Sequence, residues 1–361
     1  MNRARALLPF LAPFLGLLAV WCFFALAAGS DFTAFSNLRL MLLQTAVVGT
    51  AAIGATLIIA GGGIDLSVGS SVALGTVIGA LVLTQGGSPA AAALAMPLMG
   101  LYLGTWIGCL VSGRVLSALA LALALLAAFW LLRSQGGWLA IAGVLSSGAV
   151  AALWAGRFPW RMPLSPFIVT LGTWGALRGL AKGLGDNQPV YPASTGWIAD
   201  LMQGGSWLAP GVWLWLGLAV LAALYLSHTV PGRHLFAVGS NERTARLCGV
   251  DVERTQLLTY SLGVGCAGLA ALLQLSYLSM GDPTTAQGLE LRAIAAAVIG
   301  GASLSGGSGS IPGTIAGALL MTVVDNGCTK LGMDNWVQEV VTGAIIVIAV
   351  ALDRWRGRKA T

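Results

Sequence analysis

Charged side chains are what this 361-residue sequence has least of, 19 Lys and Arg with 13 Asp and Glu, 9% of the chain, where a soluble globular domain carries roughly 25%. A soluble fold of this size has too much surface to cover with so few charges, so a cytosolic or secreted globular domain is excluded. Only three lysines occur, Lys182, Lys330 and Lys359. None follows a glycine loop of the G-x-x-x-x-G-K-[ST] kind, so the Gly-rich stretch 300–309 is no phosphate loop and the chain is not itself an ATPase. His228 and His234 have no metal-ligand partners nearby, and the five cysteines (22, 109, 248, 266 and 328) include no C-x-x-C pair. Neither a metal site nor a disulfide framework is expected. No Ser/His/Asp or paired-carboxylate arrangement suggests catalysis, so the chain is expected to be no enzyme and to need no cofactor. The formal net charge of +6 comes from scattered residues between apolar runs, which argues against a nucleic-acid partner.

What fills the chain is apolar residue, 57% of it, with 50 glycines and a mean hydropathy of +0.85. A spanning helix needs about 20 apolar residues. Runs of that kind occur at about 7–28, 39–60, 66–84, 89–111, 115–132, 138–156, 164–181, 211–227, 257–279, 291–303, 312–329 and 336–352. The fold class they predict is all-α, a polytopic bundle of 10–12 transmembrane helices embedded in a lipid bilayer, in one transmembrane domain over 1–361. The first run is longer than the roughly 7–15 residues of a signal h-region and is expected to stay as a membrane helix. The runs at 66–84 and 291–303 are short or Gly-interrupted and are expected to be broken or re-entrant.

Basic residues set the orientation. An even number of spans puts both termini on one side, and both are basic: Arg3 and Arg5, then Arg354, Arg356, Arg358 and Lys359. Alternation gives the same side Arg114, Arg157, Arg161, Arg233, Arg243, Arg246 and Arg254, in all 13 of the 19 basic residues. Segment 183–210 on the other side has none. Both termini are therefore expected in the cytoplasm, with 228–256 the largest cytoplasmic loop.

Two segments repeat. At an offset of 238 residues, Gly62–Leu81 and Gly300–Leu319 share 11 of 20 residues, among them Gly62/Gly300, Gly63/Gly301, Ser67/Ser305, Gly69/Gly307, Gly75/Gly313, Thr76/Thr314 and Gly79/Gly317. Gly-interrupted apolar segments at matching places in two related halves point to a transport pathway. The plainer explanation is that Gly and Ser recur wherever membrane helices pack closely.

Polar residues inside these runs are the candidates for chemistry. Gly61-Gly62-Gly63 breaks a helix and exposes backbone groups that protein or a water-lined cavity must satisfy. Asp65 follows, placed either to cap the next helix or to touch substrate or a gate. In the loop Pro231–Asp251, Asn241 or Ser240 suits the N-cap of a short helix over about 242–248 and Gly249 its stop. So short a helix needs a surface to dock on. Pro163-Leu164-Ser165-Pro166-Phe167 starts a helix on which Thr170 and Thr173 share a face; they either line a pathway or bond back to their own helix. Glu290, Arg292, Asp325 and Asn326 lie in or beside apolar spans, where charges pair or face a cavity.

These residues resemble a known family, the membrane permeases of bacterial ABC importers for monosaccharides, the ribose/xylose/galactose branch. The resemblance rests on Gly62-Gly63-Ile64-Asp65-Leu66-Ser67-Val68-Gly69, Pro166-Phe167-Ile168-Val169-Thr170-Leu171-Gly172, and the loop from Gly232-Arg233 to Gly249-Val250. Glu290-Leu291, Ile299-Gly300-Gly301-Ala302-Ser303-Leu304, Gly313-Thr314 and Asn326-Gly327 also match, covering the chain from about residue 40 onward. It implies a complex with an ABC ATPase subunit, a periplasmic sugar-binding protein and a second permease subunit, either a second copy or a paralogue, in the bacterial inner membrane. It implies that Asn241, Glu242, Arg243, Ala245, Arg246, Gly249 and Val250 couple to the ATPase. Gly62, Gly63, Asp65, Ser67, Ser70, Phe167, Thr170, Glu290, Ser303, Ser305 and Asn326 are the residues expected along the substrate pathway or gate. Such permeases commonly have about ten helices, so 115–156 is expected to be an added helix pair. The alternatives are an ion-coupled secondary transporter or an ABC permease for another small polar solute.

Overall fold

A computed structural model of the chain describes residues 3–358 except 135, 159 and 204–207, and describes no side chain at 3–11, 349 or 352–358. Lys359 and the side chains of Arg3, Arg5, Arg354, Arg356 and Arg358 thus lie outside the described residues.

Along the chain the helices are α1 (Arg3–Ala28), α2 (Ser30–Thr33), α3 (Phe35–Ala60), α4 (Val68–Thr84), α5 (Pro89–Val111), α6 (Val115–Arg133), α7 (Trp138–Ala155) and α8 (Pro166–Leu184). They continue as α9 (Asp200–Gln203), α10 (Pro210–His228), α11 (Val230–Ser240), α12 (Glu242–Leu247), α13 (Val252–Leu278), α14 (Leu289–Ile299), α15 (Ile311–Lys330) and α16 (Asn335–Arg358). One isolated bridge, Val190 to Gly281, is the only extended pairing among the described residues. The molecule is all-α, as its hydropathy requires.

Each of the twelve apolar runs forms a helix. Seven, α3, α5, α6, α7, α10, α13 and α15, are long and apolar enough to cross a membrane outright. The two Gly-interrupted runs are short, as expected. α4 has 17 residues, and α14 has 11, a rise of about 16 Å, or half a hydrocarbon core. α14 stops at Ile299 rather than at 303, because Gly300 and the left-handed Gly301 (φ +97°) end it. Loop 228–256 differs more from expectation. It holds α11 as well as α12, and the first turns of α13. Thr229 caps α11 by accepting from Gly232 N at 3.1 Å, and Pro231 in the first turn lacks only an N–H that has no intrahelical partner there.

The chain divides into two compact units. The first is Met1–Gly63, Asp200–Cys248 and Gly288–Thr361. At its centre α3, buried over most of its length, packs against α14, α15 and α10. Trp215 of α10 is fully buried against Gly49, where a Cβ would lie inside the indole ring. Thr56 and Thr314 join α3 to α15 through a 2.7 Å hydroxyl pair. The second unit is Ile64–Ala199 and Gly249–Gln287. Its centre is α13 against α5 and α4, with α8 beside α4 and the α6–α7 hairpin beside α5. Gly100 and Gly104 of α5 meet the carbonyls of Val264 and Tyr260 on α13. This is the close backbone approach that small residues allow where lipid offers no hydrophobic drive.

Candidate functional site

The first break forms because three glycines follow Ala60. Gly62 takes φ +83°, open to glycine at little cost. Asp65, 2% exposed, accepts from Ser67 N at 2.7 Å and from Ser67 Oγ at 2.6 Å. These two bonds close the turn immediately ahead of α4. Ser70 Oγ donates to Ser67 O. The backbone groups that the break exposes find protein partners. Thr170 Oγ1 donates to Ile64 O at 3.1 Å, while also bonding Pro166 O on its own helix. Thr173 bonds back to Thr170 O. Within the first unit, Gly307 N donates to Ala60 O at 3.0 Å.

The second break, residues 300–310, holds Ser303 and Ser305 side by side, Oγ to Oγ 2.9 Å. It reaches α11. A Cβ on Gly239 would fall on the carbonyl of Ala60 and 2.8 Å from Gly307 N. One on Gly306 would crowd Gly239 O and lie 2.9 Å from Gly62 Cα. Gly239 thus holds the backbones of both breaks together at one three-way junction.

From that junction α11 leads into α12. Asn241, not Ser240, is its N-cap, accepting from Thr244 N at 2.9 Å, and Gly249 (φ +81°) follows its end. Ala245 is buried; Glu242, Arg243, Thr244, Arg246 and Leu247 are exposed, Leu247 at 89%. Val250 is half-buried. Glu242 and Arg246 pair at 3.3 Å across one turn, worth a few tenths of a kcal/mol at such exposure. This six-residue helix thus turns four charged or polar side chains and Leu247 outward.

A polar cluster lies where α14 runs beside α15. Arg292 pairs with Asp325 at 2.8 Å, so Asp325 is not merely solvated. Asn326 and Asn37, both buried, exchange amide hydrogen bonds at 2.8 and 3.0 Å. Glu290 is 8% exposed and its Oε2 has no hydrogen-bond partner among the described residues. Phe167, by contrast, is half exposed on α8 beside Ile168 and Leu171.

Sequence reasoning missed α11 and Gly239 altogether. A signal was present, a threonine two residues before a proline at the head of an apolar stretch, but the contact with both breaks had none. Asn37 was missed for the same reason; its partner lies 289 residues away.

Comparison with known proteins matches residues 111–350 to the family described as branched-chain amino acid transport system / permease component. The ribose import permease protein RbsC of Escherichia coli K12 is 35% identical over 335 residues, covering 90% of this chain and 87% of that protein. The xylose transport system permease protein XylH of the same organism is 32% identical over 368 residues, covering 95% and 91%. RbsC of Bacillus subtilis 168 is 32% identical over 347 residues, covering 95% and 92%. No solved structure matches. With well over half of the chain matched and relatives of this identity covered over most of their length, the chain belongs to this family of multi-pass ABC transport permeases.

Proposed function

We propose that this chain is the permease of an ATP-driven importer that carries a monosaccharide, a pentose or hexose, across the bacterial inner membrane. The observation that carries the reading is the joint at Gly239. A docking helix, α12, continues from an element whose backbone touches both glycine breaks, so a push on α12 reaches both. ATP binding in a separate ABC ATPase subunit would supply the push and switch access between the two sides. The ribose and xylose relatives support a sugar as cargo. The polar groups at the two breaks fit such a cargo, since a neutral solute needs hydroxyl, amide and backbone groups more than fixed charge.

In this reading Asn241, Glu242, Arg243, Ala245, Arg246, Gly249 and Val250 form the contact with the ATPase, and both termini are cytoplasmic. A periplasmic sugar-binding protein delivers the cargo. A second permease subunit packs against the exposed face of α8, where Phe167, Leu171, Gly172 and Gly175 leave room for close helix approach. Gly62, Gly63, Ser303 and Ser305 act at the gate. Asp65, Ser67, Ser70 and Thr170 hold the first break in shape, and Glu290 and Asn326 offer polar groups on α14 and α15.

The test is copurification. The native complex should contain a nucleotide-binding subunit, and E242A with R246A should lose it together with ATP-dependent uptake. A complex with no such subunit would end the reading. The buried acid Glu290 favours one other possibility, ion-coupled transport. Uptake in vesicles without ATP, driven by an ion gradient and abolished by Glu290→Gln, would establish that instead.

A further inference from the structure

In the second unit, a groove of about 490 Å³ opens between α5, α6 and α7. Its walls are apolar, with Leu98, Leu101, Leu121, Ala149, Leu153 and Leu257 among them. From Leu98 to Cys109 it follows α5 for about 16 Å, the depth of one leaflet of a roughly 30 Å core. The hydroxyl groups along it are already used. Tyr102 donates to Leu121 O, Thr105 to Leu101 O and Ser117 to Ala152 O. No hydroxyl in the walls is left waiting for a polar guest.

One end is different. The start of α6 brings Arg114 and the end of α7 brings Arg157, both lining the groove. Arg161 folds back onto Gly156 O at the same end. A single carboxylate, Glu253, answers them; its Oε2 lies 3.4 Å from Arg114 and 3.1 Å from Arg161. Three arginines against one acid leave two positive charges, and the side chain of Arg157 is exposed with no hydrogen-bond or ion-pair partner among the described residues. Trp154 and Phe158 stack edge to face beside it, with centroids 5.1 Å apart, and Trp160 is exposed close by. Such a girdle marks headgroup level.

We propose that this groove is a binding site for an anionic phospholipid of the surrounding leaflet. One acyl chain lies along α5 between α6 and α7, and the phosphate sits against Arg157 and Arg114. Basic clefts between membrane helices on the cytoplasmic side recognise such headgroups, and the positive-inside alternation places this end there. The α6–α7 hairpin supplies the outer wall and Arg157, which gives that hairpin a task of its own.

Native mass spectrometry of the full chain, purified with its partner subunits in mild detergent, tests this. The probes are phosphatidylglycerol and phosphatidylcholine with identical acyl chains. The wild type should prefer phosphatidylglycerol by roughly fivefold or more, and R157Q should lose about that factor. R157K should keep most of the preference, while R133Q, at the far end of α6, should leave it unchanged. Leu153→Trp, which fills the groove, should weaken both lipids alike. Equal binding of the two lipids by the wild type, or an undiminished preference in R157Q, would overturn the proposal.

Discussion

The two glycine breaks share 11 of 20 residues and yet fold differently. After the first, helix resumes at Val68; after the second it resumes only at Ile311, which corresponds to residue 73 at the offset of 238. The positions that differ account for this. Asp65, whose carboxylate gathers Ser67 N and Oγ into a closed turn, is matched by Ser303, whose hydroxyl pairs with that of Ser305 and also accepts from Ser305 N. Val68 is matched by Gly306, left-handed at φ +84°, and Gly307 follows at φ +76°. Two left-handed residues cannot start an α-helix, so the loop runs on until Ser310 caps α15 by accepting from Gly313 N. Shared glycines mark where each helix breaks, and unshared neighbours set where the next begins. The longer second loop brings Gly306 and Gly307 to Gly239, which the first break meets through Ala60 and Gly62.

The shared positions further on have a plainer role. Gly75 and Gly79 let α4 lie against Ala271 and Leu275 of α13, and Gly313 and Gly317 let α15 lie against the backbone of α14 at Gly300 and Ala296. Close packing explains these four without any pathway.

The largest effect is expected at the point where both breaks meet, Gly239. Gly239→Ala puts a methyl group onto the Ala60 carbonyl, an overpacking that costs about 1–3 kcal/mol. ATP-driven uptake should fall roughly tenfold or more while the permease still copurifies with its ATPase. Uptake within twofold of wild type would mean the junction transmits nothing.

Next comes the carboxylate that separates the two copies. Asp65→Ala leaves Ser67 N and Oγ buried without their acceptor and should cost about 1–3 kcal/mol, seen as a lower melting temperature in detergent. Asp65→Asn keeps an amide oxygen in the same place, so both stability and uptake should stay near wild type. If Asp65→Asn were stable but inactive, the negative charge itself would be acting on substrate or gate.

The smallest effect is expected from Ser303→Asp, which gives the second break the acid of the first. With Gly306 and Gly307 still left-handed the turn has no helix to lead into, so stability should change by no more than about 0.5 kcal/mol. A clear rise in melting temperature would show that the acid alone organises a break.

Much of the fold was legible in the residues. All twelve apolar runs became helices, and Pro89, Pro166, Pro210, Asn241 and Asp251 sit at helix starts where their chemistry places them. Within the site, Gly61–Gly63, Asp65 and the short helix ending before Gly249 were visible because glycine, a buried acid and a cap are local signals. The use of Thr170 on Ile64 O, of Arg292 on Asp325 and of Asn37 on Asn326 was not visible. Each joins residues far apart in the chain, and either member alone is an ordinary polar residue in an apolar run.

By itself, then, the sequence determined an all-helical membrane protein, where its helices start and stop, and its family. Those follow from lipid, which leaves a spanning backbone no way to satisfy its polar groups except helix or closed barrel, and from caps and breakers that act over a few residues. Only the tertiary structure decided which glycine meets which. That the two breaks and the helix before α12 converge on Gly239 depends on packing among segments near residues 60, 240 and 306, and no local rule of propensity or pattern specifies a contact over that separation.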